Sequence, residues 1–332
     1  MPTTRFAAAL LIGLAPIALS SCAPVEPGPV GAPSAALSAG EHEATLRGVR
    51  IWYRVAGNWD GRSAPVVYLA GGPGGNSYTF SMIAGPFLEP DNLMVYYDQR
   101  GTGRSERPAG GDYAISTLVD DIEALRLQLG VPKLSLIAHS FGAILGLEYA
   151  ARYPDRVAAL VVAGALWNAP MSCREQAEQF AARRPDAYAR IVAAGEPSDA
   201  EVCERVFGAL PGRERERFHE TLMFPNPTTL ERFNRSEAES GLRNTGELSS
   251  AVFRQGLLQY RFGGAARISA PVLVVSGALD YAAGPRTERA LAANLPRGRL
   301  LEYPGLGHWM FIDDPERFGR DVTRFLREAQ RR

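Results

Sequence analysis

Lysine is nearly absent from this chain: Lys133 is the only one in 332 residues, so the 36 basic residues are almost all arginine. That bias reads as a habit of the source genome and not as a functional signal. Net charge is absent as well, since 36 acidic residues balance the basic ones. A balanced chain without a basic stripe or a nucleic-acid-binding motif gives no reason to expect DNA or RNA as a partner. The N-terminal apolar stretch, residues 6–19, is too short for a comfortable membrane span and is interrupted by Pro16. No internal repeat is present. Histidine is scarce, with only His42, His139, His219 and His308 available as a catalytic base. What is plentiful is core material: 46% of residues are hydrophobic and 22% charged, the balance of a folded globular protein.

Arg5 precedes the apolar stretch, and small residues lead from it to Cys22. A positive start, a short apolar segment and a small-residue exit describe a secretory signal peptide over residues 1–21. The exit Leu19-Ser20-Ser21-Cys22 resembles the lipobox of bacterial lipoproteins. The resemblance implies cleavage before Cys22, lipid attachment to it, and a protein tied to the bacterial cell envelope by an N-terminal lipid anchor. Ala23 stands where some inner-membrane lipoproteins carry Asp, which points to the periplasmic side of the outer membrane. An ordinary secretory signal that happens to hold a cysteine is the alternative. Residues 22–41, rich in Pro, Ala, Ser and Gly, read as a flexible tether. With Cys22 consumed by lipid, Cys173 and Cys203 are left as an even pair in an oxidising compartment, expected as a disulfide, with two buried thiols as the alternative.

Beyond residue 45, short apolar runs alternate with longer amphipathic ones. Strands are expected at 66–70, 93–97, 134–138, 158–162, 272–275 and 300–303. Their runs lack polar alternation, as strands buried on both faces do. Helices are expected at 116–129, 141–152, 285–294 and 315–329, and this alternation predicts a mostly parallel sheet flanked by helices. Residues 43–55 would supply an antiparallel edge. The rhythm breaks between 167 and 264, an Arg- and Glu-rich stretch read as a helical insertion that divides the core into parts at 42–166 and 265–332.

The sharpest chemical signal is Ala138-His139-Ser140-Phe141-Gly142, between an expected strand and an expected helix. A nucleophile on such a tight turn needs small residues two positions away, and Ala138 and Gly142 meet that need. A plain helix-capping serine is the bland alternative. Serine also needs a base, and the base an acid, in the chain order Ser, acid, His. His308, in a Gly-rich loop after the last expected strand, is the histidine that fits. Asp280 follows the penultimate strand, whereas Asp313 and Asp314 come too late, the latter as the cap of the final helix. The glycine run after Ala70 lets backbone approach a ligand, and the N–H groups of Gly72 and Phe141 are the candidates for an oxyanion hole. A phosphate loop is excluded because no GKS or GKT ending is present.

Gly71-Gly72-Pro73-Gly74-Gly75, Asp98-Gln99-Arg100-Gly101-Thr102-Gly103-Arg104-Ser105 and the serine turn together resemble the proline iminopeptidase group of α/β-hydrolases. The resemblance covers roughly residues 50–165 and 271–326. It implies the α/β-hydrolase fold, a cap domain formed by 167–264, no metal or cofactor, and short substrates with a free N-terminus. It also implies that cap glutamates bind the substrate ammonium. Glu237, Glu239 and Glu247 are available for that, though none aligns on a family motif. Asp98 and Arg100 are expected to brace loops and not to react. Ala70 and Phe141 depart from the His and Trp usual in that group.

The chain is therefore expected to be a serine hydrolase, an aminopeptidase of the prolyl type acting on short peptides. A carboxylesterase or lactonase on the same machinery is the alternative, with a small-molecule substrate. A non-enzymatic binding protein on a hydrolase scaffold is a third reading. A serine in the nucleophile position disfavours dehalogenase and epoxide hydrolase chemistry, which needs Asp there.

Overall fold

The computed structural model describes residues 35–199 and 201–331. Eight strands form one sheet: β1 (Gly40–Leu46), β2 (Val49–Gly57), β3 (Val66–Leu69), β4 (Leu93–Tyr97), β5 (Leu134–His139), β6 (Val157–Ala163), β7 (Val272–Gly277) and β8 (Gly298–Tyr303). Their spatial order is β1-β2-β4-β3-β5-β6-β7-β8. β1 and β2 form the expected antiparallel edge, β2 pairs antiparallel to β4, and the remaining pairs are parallel. The helices in chain order are α1 (Tyr78–Ile83), α2 (Gly85–Leu88), α3 (Ile115–Leu129), α4 (Phe141–Arg152), α5 (Ala169–Arg183), α6 (Pro185–Ala193), α7 (Val202–Gly208), α8 (Gly212–Met223), α9 (Pro227–Ser240), α10 (Glu247–Arg254), α11 (Pro285–Asn294), α12 (Met310–Asp313) and α13 (Pro315–Gln330).

The pleat explains why the central strands are apolar throughout. Successive side chains point to opposite faces of the sheet, and both faces are covered. Val67, Leu69, Leu136, Ala138, Val162 and Val274 pack on one face with residues of α3, α4 and α11. Their neighbours Val66, Tyr68, Ile137, Val161 and Val275 pack on the other, with residues of α1, α12 and α13. α13 shows the pattern at helical spacing: Phe318, Val322, Phe325 and Leu326 are buried while Arg320, Arg324 and Arg327 face out. Asp314 caps it, accepting a hydrogen bond from the Arg317 N–H at 3.1 Å. The outer strands β1 and β8 carry charged, exposed residues, which discourages further strand pairing at the sheet edges.

α5–α10 occupy the interval between β6 and β7. Part of this segment has a small core of its own, with Phe180, Val206, Phe218 and Leu222 packed around Cys173 and Cys203. Those cysteines are joined in a disulfide, their Cα atoms 5.2 Å apart. The tether expectation differs from the structure at its end. Leu37 is already buried against the core and β1 begins at Gly40, because one leucine among small residues suffices to dock the chain. Cys22 and the signal sequence lie outside the described residues.

Candidate active site

The C-terminal ends of the parallel strands converge at one edge of the sheet, the usual location of ligand sites in open α/β sheets. Ser140 follows β5 there with φ 54° and ψ −119°, a conformation that few side-chain-bearing residues adopt. Its side chain makes no capping hydrogen bond to α4, so the helix-cap alternative does not describe it. The turn closes because its neighbours are small. A Cβ on Gly142 would collide with the Leu69 carbonyl oxygen, and one on Gly71 would lie 2.7 Å from the Ser140 Cβ.

Asp280 and His308 come from the loops after β7 and β8. His308 Nδ1 is 2.9 Å from Asp280 Oδ2, and Asp280 is fully buried. The other carboxylate oxygen, Oδ1, accepts N–H bonds from Ala282 and Ala283, each at 3.0 Å. This leaves Nε2 as the imidazole nitrogen not engaged by Asp280. The turn after β6 joins these groups to Ser140. The Ser140 N–H donates to the Ala163 carbonyl at 3.0 Å, and its carbonyl accepts from the Leu166 N–H at 3.3 Å. Gly164, between them, packs on the His308 ring.

His139, set aside as a base, has a different task. It is buried, and its Nε2 lies 3.0 Å from the His308 carbonyl oxygen. A carbonyl can only accept, so Nε2 carries the proton and His139 holds the histidine loop by its backbone. Burial, reinforced by the nearby His308, pushes its pKa well below the ordinary imidazole value. Its position beside the serine was the only sequence signal for this role.

The glycine loop and the Asp98–Ser105 loop brace each other. Asp98 Oδ1 accepts from the Ser77 N–H and hydroxyl, while Oδ2 accepts from the Arg104 N–H and guanidinium. Arg100 is tied to Asp121, with its Nη2 2.7 Å from Oδ1. Gln99 donates to the Ala70 carbonyl at 2.9 Å. Gly72 follows β3 by three residues, and Phe141 is the first residue of α4.

The inserted segment enters the site through the end of α8. The Met223 carbonyl accepts from the His308 N–H at 3.1 Å, and the Leu222 carbonyl from the Tyr281 N–H at 3.1 Å. Trp309, next to His308, stacks on Phe224 with centroids 5.9 Å apart and lies 4.6 Å from Phe233. Neither contact was visible in the sequence. Of the three glutamates, Glu237 is half-buried and accepts from Thr79 Oγ1 of α1 at 2.7 Å. Glu239 is exposed. Glu247 is also exposed, bonded to the Tyr113 hydroxyl at 3.0 Å and 3.9 Å from Arg107.

Residues 64–315 match the family model of the α/β hydrolase fold, and the chain belongs to that family. Among its relatives, RutD of Klebsiella pneumoniae (strain 342), a protein named for carbamate hydrolysis, is 30% identical over 266 residues, covering 78% of this chain and 90% of RutD. The proline iminopeptidase of Lactiplantibacillus plantarum is 26% identical over 284 residues, covering 81% of this chain and 94% of that protein. The crystal structure of a proline iminopeptidase-related protein from Thermus thermophilus superimposes with a TM-score of 0.71 at 25% identity, covering 87% of this chain and 97% of that one.

Proposed function

We propose that the protein is a serine hydrolase in which Ser140 is the nucleophile, His308 the general base and acid, and Asp280 the residue that orients it. The observation that carries this reading is the 2.9 Å contact between His308 Nδ1 and Asp280 Oδ2 at the same sheet edge as the strained Ser140 turn. Asp280 accepts the Nδ1 proton, which fixes the tautomer and leaves Nε2 to take the Ser140 proton during attack on a carbonyl carbon. The oxyanion of the tetrahedral intermediate is stabilised by the Gly72 and Phe141 N–H groups. His308 then protonates the leaving group, and water repeats the sequence in reverse to release the acid. The reaction so described calls on no metal or cofactor.

The finer reading is an aminopeptidase of the prolyl type, with residues 167–264 as its cap and Glu237 as the counter-charge for the substrate ammonium. It is supported by the proline iminopeptidase relatives and by Glu237 being the one glutamate of the three that is half-buried. The outward placement of Glu239 and Glu247, together with the RutD relative, favours a second reading: an esterase, lactonase or carbamate hydrolase. Turnover of prolyl and alanyl chromogenic amides is to be compared with that of short-chain aryl esters, with Ser140→Ala as control. Amide cleavage that needs a free amino group and is weakened at least about tenfold in kcat/KM by Glu237→Gln, the worth of one charge-assisted hydrogen bond, supports the peptidase. Ester cleavage alone, indifferent to that substitution, supports the second reading.

The proposal extends to location: an N-terminal lipid on Cys22 would hold the enzyme on the periplasmic side of the outer membrane. An intact mass of the mature protein starting at Cys22 with added acyl mass is the expected result, and an unmodified N-terminus would sink the idea.

A further inference from the structure

A second buried carboxyl group lies beside Asp280 and has no part in the reaction just described. Glu288, on α11, is fully buried. Its Oε1 accepts the Ala165 N–H at 2.7 Å, and its Oε2 lies 2.6 Å from Ser276 Oγ. Ser276 is the penultimate residue of β7, and Ala165 belongs to the turn that leaves β6. Glu288 therefore joins the two strand ends that frame the site.

The turn it holds is in contact with each of the reacting residues. Ala163 and Leu166 bond the Ser140 backbone. Gly164, at φ +57°, lies flat against the other two: a Cβ there would come 2.8 Å from His308 Nδ1 and 3.2 Å from Asp280 Oδ2. Displacement of Ala165 would thus be transmitted to all three at once.

We propose that Glu288 is a positioning residue whose two carboxyl oxygens clasp β6 to β7 and so hold the Ser140 turn and the His308–Asp280 pair in register. Oε1 accepts from the Ala165 N–H and Oε2 from the Ser276 hydroxyl, so each oxygen is tied to a different strand end. Burial, and next the charge of Asp280, raise its pKa well above the usual carboxylate range. Glu175 on α5 pushes the same way, while its own carboxylate is engaged by the Thr287 N–H and hydroxyl and the Arg286 N–H.

This inference rests on Ser140 being the nucleophile, so the readout is the rate at which a fluorophosphonate labels Ser140, with Ser140→Ala as blank. Rates are measured for wild type, Glu288→Ala, Glu288→Gln and Ser276→Ala, and folding of each is checked by thermal unfolding. Glu288→Ala is expected to label on the order of a hundredfold more slowly, as a small misplacement of reacting groups does. Glu288→Gln, whose side-chain amide can still bond both the Ala165 N–H and Ser276 Oγ, is expected to rescue labelling. If Glu288→Ala does not fold, Ser276→Ala tests the same clasp with one partner removed, and about tenfold slower labelling is expected. Wild-type labelling in both Ala variants, or no rescue by Glu288→Gln, overturns the clasp. Failure of the wild type itself to label at Ser140 overturns the nucleophile reading, and the clasp with it.

Discussion

Ser140 holds φ 54° and ψ −119° because its backbone is pinned by Ala163 and Leu166 and its neighbours are too small to push it out. Strain of this kind costs about 1–3 kcal/mol. Ser140→Gly should therefore abolish activity yet raise the unfolding free energy by about 1 kcal/mol, the strain relieved exceeding the extra entropy of glycine in the unfolded chain. Urea denaturation checks this, and a loss of stability would contradict the strain argument. Gly164→Ala should act in the opposite sense. The new methyl crowds the His308 ring, and kcat should drop on the order of a hundredfold with KM little changed. His139 gives a pH signature. Its folded-state pKa is depressed, so below the ordinary value of 6.5 the unfolded chain binds a proton that the folded protein refuses. The stability it contributes is complete above that value and is lost as the pH falls toward the folded pKa. Thermal unfolding followed from pH 8 down to about 5 should show the decline, and His139→Gln, which can still donate to the His308 carbonyl, should flatten it. Glu288 has the reverse sign: its raised pKa makes its contribution fullest below the ordinary 4.5 and erodes it as the pH rises toward the folded value. The Ser140 turn and the His308–Asp280 contact were legible because motif and chain order constrain them. His139 and Glu288 were not, since a buried polar group leaves no pattern in one sequence.

At the scale of elements, apolar continuity and helical period located β3–β8, α3, α4, α11 and α13 to within a few residues, because each must bury a fixed face against the sheet. α1 and α2 went unread. They are short, and Gly85-Pro86 at the start of α2 looks like a loop. The individual helices α5–α10 were also unread, since a segment without strands has no strand rhythm to divide it. What ties α5 to α7 is the Cys173–Cys203 bridge. With 30 residues of separation, its removal by Cys173→Ser with Cys203→Ser should cost roughly 3–4 kcal/mol in the chain-entropy model. α5 also carries Glu175, which anchors the first turn of α11. Activity should accordingly fall with stability on reduction, as an assay with and without reductant would reveal. Unchanged thermal unfolding after reduction would mean that packing alone holds these helices.

Across the molecule, the inserted segment and the Asp280 and His308 loops are separate in sequence yet meet through the Leu222 and Met223 carbonyls. The inserted segment was legible as a break in rhythm, whereas its bonding into the site was not, because backbone hydrogen bonds from Leu222 and Met223 depend on no particular side chain. That bonding limits how the insertion can be exchanged. A chimera that transplants a relative's whole insertion would remove the partner of the His308 N–H, so a dead product would say nothing about specificity. Junctions that retain residues 222–225 leave the histidine loop its native acceptor and allow the rest of the insertion to be swapped. Leu222 and Met223 thereby mark the seam along which new substrate preferences could be grafted onto this enzyme without rebuilding its chemistry.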